Sequence, residues 1–115
     1  MPVRGDREHG SVTVELAVAL PAVVLVLVAV LTLAAAAGAQ MRAADAARGA
    51  ARAAAIGEDD ATVRATALRL AGDGSEVVLV PGDPWLAVEV RTPVVGGGLV
   101  GSFRVTGRAE AWVEP

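Results

Sequence analysis

The sequence predicts an α+β chain: one long N-terminal transmembrane helix with an extension, a short second helix, then a small three-stranded antiparallel sheet. Three observations predict it. An uncharged apolar block fills residues 16–39. Strong helix formers continue to residue 56 with the exception of Gly49. Beyond residue 75 the pattern turns to short Val-rich runs that alternate in polarity and are separated by Gly/Pro turns. The expected division is a leader at 1–10, the transmembrane helix (about 15–39) and its extension within 11–56, and a small α+β domain at 57–115.

The block LAVALPAVVLVLVAVLTLAAAAGA carries no charge. About 20 apolar residues cross the hydrocarbon core, so it spans with some tilt. A soluble amphipathic helix would place polar residues every third or fourth position. Pro21 lies early in the block. It removes one backbone donor and crowds the carbonyl of Ala17, which predicts a kink. Orientation by arginine count is divided. Arg4 and Arg7 precede the block, and Arg42, Arg48 and Arg52 follow it. A short head and a long polar tail favour a single-pass plasma-membrane protein, N-terminus cytoplasmic and C-terminal domain extracytoplasmic.

Residues 40–56 extend the helix, and a continuous helix from 14 to 56 would measure about 60 Å. Arg42, Asp45, Arg48 and Arg52 share one face, with Asp45 placed to pair with Arg48 one turn on. The other faces are nearly all Ala. Gly57-Glu58-Asp59-Asp60 stops the helix, and Asp60 or Asp59 is placed to cap a second helix over 61–71. A cation site in this acidic run is the less economical reading. Gly72 and Asp73-Gly74-Ser75 turn the chain. Strands are expected over 76–80, 85–92 and 102–113. Leu86, Val88 and Val90 form one face of the second. Phe103, Val105, Ala109, Ala111 and Val113 form one face of the third, in which Gly107 is a site for a bulge or bend. The helix extension is available to cover the sheet.

Net charge is −3, all basic residues are Arg, and aromatics are few. No basic stripe marks a nucleic-acid partner. Cys and Tyr are absent and the one His is His9. No nucleophile motif or metal-ligand spacing is found, so no enzyme activity, cofactor or small-molecule substrate is expected. A Cys-free domain of about 60 residues is marginal alone and leans on its helix or a neighbour.

The head, MPVRGDREHG, is followed by Ser11-Val12-Thr13-Val14-Glu15 and then the block. Three readings stand. Gly10 with Glu15 five positions on, at the start of an apolar helix, is the pattern cut by prepilin peptidases. Cleavage would free an amine on Ser11, about one turn from Glu15. That carboxylate could then pair with the amine of a neighbouring subunit, which offsets the cost of a charge at the rim of an apolar helix. Alternatively, Glu15 is the last polar residue before a plain anchor. Thirdly, Ala37-Gly38-Ala39 before Gln40 has the A-x-A form of a signal-peptide site, at the end of a run far longer than an ordinary h-region.

The segment Glu8 to Pro21 (EHGSVTVELAVALP) resembles the start of TadE-like minor pilins, or pseudopilins, of Tad/Flp type IV pilus systems. The Ala/Arg stretch 43–55 and the Val-rich tail are similar to that family too. The resemblance implies a type IV pilin-like fold, prepilin peptidase cleavage between Gly10 and Ser11, and a processing or assembly role for Glu15. It implies a structural part in assembling an adhesive pilus, with other pilins and the pilus platform proteins as partners. The competing function is a single-pass accessory or interaction protein outside any pilus.

Overall fold

A computed structural model of the chain describes residues 2–94 and 103–114, with side chains from Gly10 onward. Of the glycine-rich stretch 94–101 (VVGGGLVG), which the sequence marks as the connection between the last two strands, all but Val94 lies outside the described residues. The elements run α1 (Pro2–Ala55), α2 (Asp60–Ala71), β1 (Glu76–Pro81), β2 (Trp85–Pro93) and β3 (Arg104–Trp112). This is the α+β order expected, with two differences at the margins. Helix α1 reaches back to Pro2 rather than starting near residue 14. Pro in the first turn costs nothing, because that N–H has no intrahelical acceptor. The strands begin or end one or two residues from their expected limits.

The chain divides into two compact units, 1–31 and 32–115. The first is helix alone. From Gly10 to Leu31 every side chain is exposed except that of Val28, which is half-buried, and Pro21 sits inside the helix.

The second unit contains the core. The α1 residues Ala43, Ala46, Ala47, Ala50, Ala51, Ala53 and Ala54 are buried together with Val63, Ala67 and Ala71 of α2 and Val88, Val90 and Ala111 of the sheet. Among the described residues, no fully buried side chain is larger than Val. The alanine-rich faces therefore have a structural use: they bring backbones close and bury area with little side-chain entropy loss.

The sheet is antiparallel in the order β1-β2-β3. Val77 and Leu79 of β1 lie opposite Val90 and Val88, and these lie opposite Gly107 and Ala109 of β3. Residues opposite one another share a face, so this row forms the inner face. The β2–β3 register is unbroken from Pro93↔Arg104 to Trp85↔Trp112. Gly107 therefore makes no bulge. Its role is close approach: a β-carbon there would fall on the backbone carbonyl of Ala43. Gln40 of the same helix donates through Nε2 to the carbonyl of Thr106 at 3.0 Å.

Helix α2 is capped as the acidic turn requires. Asp59 is the N-cap, in extended backbone, and its Oδ1 accepts from the Thr62 N–H at 2.9 Å. These bonds from Thr62, the side chain's first and the backbone's next, hold the Asp59 carboxyl below its ordinary pKa. Asp60 occupies the first turn, where the helix dipole favours an anion. Gly57 and Gly72 take positive φ at the ends of α1 and α2.

Candidate functional site: the head of the long helix

Gly10, Ser11, Glu15 and Pro21 all fall on α1 and all are exposed. Ser11 and Glu15 are four positions apart, so they stack on one side of the helix, one turn from each other. A β-carbon at Gly10 would meet nothing within 4 Å. The glycine is thus not demanded by packing. In a helix interior it costs about 1 kcal/mol relative to Ala, which makes this the weakest helical position near the junction. Nothing in the first unit covers the Gly10–Ser11 peptide or the Glu15 carboxylate among the described residues.

The surroundings of Glu15 are apolar and unburied. Leu16, Val18, Leu20, Val23, Leu25 and Val26 are all more than half exposed. A contiguous apolar surface of this extent is not left to water by a soluble domain. Helix α1 contains one candidate membrane span by length and composition, within Gly10–Ala55. The α1 residues of the second unit divide differently. Ala35, Ala36 and Gly38 are half-buried and Ala39 is fully buried, so from there the helix is covered by protein.

Beyond the head, the ion pairs gather on the sheet and at one step of α1. On the outer sheet face Arg108 pairs with Glu89 at 3.1 Å and Glu110 at 3.4 Å, Arg91 with Glu89 at 3.8 Å, and Arg104 with Glu76 at 4.0 Å. Arg48 pairs with Asp45 at 3.5 Å, as their spacing requires. Among the described residues no group of His, Asp and Glu could hold a metal ion, the 58–60 turn included. The feature that reading the sequence missed is the Trp85–Trp112 pair. The rings meet edge to face, 5.3 Å apart at 84°, and stay half-exposed on the outer face. Alternation places Trp112 outward, but only the strand register brings it opposite Trp85.

Against this geometry the comparisons with known proteins are few. The family model described as TadE-like protein matches residues 10–52, from the Gly10–Ser11 junction through the buried alanine face of α1. No curated protein and no solved structure matches the chain.

Proposed function

We propose that this chain, TadE-like over residues 10–52, is a minor pilin or pseudopilin that serves the assembly of a Tad/Flp-type pilus as a structural component rather than as an enzyme. The match itself supports the coarser statement, a membrane-anchored protein associated with a Tad pilus. The observation that carries the finer reading is the exposed Gly10–Ser11 junction with Glu15 one turn beyond it, at the start of an uncovered apolar helix.

The chemistry is one of timing and placement. Prepilin peptidase would cut after Gly10, where the helix is cheapest to open. The mature chain would begin with the amine of Ser11. The 20 residues 12–31, apolar but for Thr13 and Glu15, cover about 30 Å as a helix, enough for the hydrocarbon core. Burial from residue 35 onward favours this placement over one that ends at 39, because a domain edged with ion pairs stays out of lipid. Glu15 then lies about one turn inside the membrane. An ionised carboxylate there costs a few kcal/mol unless a cation meets it, and the freed amine of an adjacent subunit is such a cation. Its partners would be prepilin peptidase, other pilins and the platform proteins of the plasma membrane, with the C-terminal domain outside.

N-terminal sequencing of the chain from a host that processes its other prepilins tests the first step. Ser11 as the first residue is expected; Met1, Pro2 or Gln40 refutes it. Glu15→Ala tests the second. Pilus assembly should fail while the second unit stays folded. Unchanged assembly would instead favour a single-pass accessory protein.

A further inference from the structure

The second unit is entered by the chain at one end, and its charges are sorted between that end and the other. Residues 32–39 lead into it from the apolar stretch 12–31. Strand β3 runs beside α1 in the same direction: Gln40 bonds to the Thr106 carbonyl, and Gly107 lies against Ala43 and Ala44. Phe103 and Arg104, at the start of that strand, therefore sit at the entry end. The Phe103 carbonyl accepts from the Val94 N–H at 3.3 Å, and its ring stays 38% exposed. Arg104 is exposed on the outer sheet face, where Nη1 donates to the Gly74 carbonyl at 2.8 Å and lies 4.0 Å from Glu76. Arg42 is exposed on α1 and has no ion-pair partner among the described residues. A β-carbon at Gly38 would lie 3.6 Å from its Nη1, so the guanidinium folds back one turn, the direction in which helical side chains lean. Asp73 and Glu76 are the nearest carboxylates to this rim along the chain. The opposite end is acidic: Glu58, Asp59 and Asp60 between α1 and α2, Asp83 between β1 and β2, and Glu114 after β3 are all exposed.

We propose that the entry rim, Arg42, Phe103 and Arg104, stands on the bilayer surface and binds the headgroups of anionic phospholipids. The contact rests on the placement of residues 12–31 in the bilayer, and not on leader cleavage or on Glu15. The headgroup layer is about 6 Å deep, so it reaches about residue 35 of the helix. The Arg42 guanidinium, level with Gly38, is then about 5 Å beyond it, inside a screening length of about 10 Å at 0.1 M salt. Helix α1 covers the inner sheet face and Arg104 is on the outer one, so the two cations lie on opposite sides of the sheet. A partner that meets both must extend beneath the whole rim. A flat anionic surface does so, and a free phosphate ion does not. Phe103 supplies an aromatic ring between water and lipid, where such rings are favoured. The acidic end is turned away from the same lipids, so the sorting of charge favours this orientation over its reverse. Trp85 and Trp112 lie at the acidic end of the sheet and stay out of the membrane.

The chain has no Cys, so Met41→Cys, at an exposed position beside the rim, takes a single fluorescent donor. The full-length chain is reconstituted in phosphatidylcholine vesicles with a trace of acceptor-labelled lipid. The acceptor is on the acyl chain of either phosphatidylglycerol or phosphatidylcholine, which leaves both headgroups native. The ratio of energy transfer to the two lipids reads anionic lipid gathered at the rim. It should exceed one, and Arg42→Gln with Arg104→Gln should cut the enrichment about fivefold. Arg48→Gln with Arg52→Gln, farther along the same helix, should leave it unchanged. Raising salt to about 1 M, where the screening length falls to about 3 Å, should also lower it. Equal transfer to both lipids overturns the proposal, as does an equal loss from the two arginine pairs. Quenching of Trp85 and Trp112 by brominated lipid overturns it too, because the unit would then lie on its acidic end. Should Trp fluorescence show the Arg104 variant unfolded, Arg42→Gln alone must lower the ratio. A mature chain beginning at Gln40 removes both this contact and the pilin reading. Equal lipid transfer leaves the pilin reading standing, and an uncut Met1 leaves this contact standing.

Discussion

Gly107→Ala should unseat the sheet from α1, although it adds one methyl group to a strand. The new β-carbon would press well inside van der Waals contact of the carbonyl carbon and oxygen of Ala43 and lie 2.6 Å from the amide nitrogen of Ala44. Carbon atoms make unstrained contacts near 3.5–4.0 Å, so strand and helix must part by about 1 Å. Neither side yields cheaply. The obstacle is helix backbone held by its own ladder, and Gly107 is locked opposite Val90 in the middle of β3. Parting loosens Val88, Val90 and Ala111 against the α1 alanines, the centre of the core. Overpacking costs about 1–3 kcal/mol, and a backbone obstacle puts this case at the upper end. In a unit of this size that lowers Tm by roughly 12–20 °C. The only two tryptophans, Trp85 and Trp112, are both in the sheet, so their fluorescence in the full chain follows this unit and not the membrane helix. Gly49→Ala supplies the contrast. There the β-carbon meets only the Leu70 Cδ1 and, at 4.0 Å, the Thr66 Cγ2. Leu70 is 42% exposed and can swing outward, while the helix gains about 1 kcal/mol from the alanine. Its Tm should stay within about 3 °C of the parent. Equal Tm values for the two variants would refute the reasoning from backbone contact.

Val88→Ala removes two methyl groups from one of the largest fully buried side chains and should cost about 2 kcal/mol in a urea melt. A cost below about 0.5 kcal/mol would mean the core is not closed around it. Asp59 gives a pH dependence of definite sign. Its pKa is lowered in the folded state by Thr62, so its contribution is present above the unfolded value of about 3.9 and is lost as pH falls through the lower folded one. Asp59→Asn keeps a capping oxygen without that titration, and its melts between pH 5 and 3 should be flatter than the parent's. A parallel fall would place the acid sensitivity elsewhere.

Much of the candidate site was legible because it is local. Gly10, Ser11, Glu15 and Pro21 are defined by spacing along one helix, and helical geometry alone carries spacing into position. The second helix, its acidic cap and the three strands were legible for the same reason, since turn residues and polarity period act over a few positions. The cap fell to Asp59 and the dipole position to Asp60, a choice of one residue that depends on local backbone angles.

The sequence by itself determined the uncharged apolar length, the α+β order of elements and the inner faces of the second and third strands, except that Phe103, expected on the third strand's apolar face, lies before β3 and is exposed. These depend on period and composition, which neighbours in the chain impose on one another. Only the tertiary structure decided what the alanines and glycines are for. Ala43 and Gly107 are 64 positions apart, and no local signal says that their backbones touch. It likewise decided that Trp85 faces Trp112, that Gln40 bonds to Thr106, and that protein covers the helix from residue 35. Small side chains carry little information about their partners; contact between two backbones is set by how whole elements settle against each other.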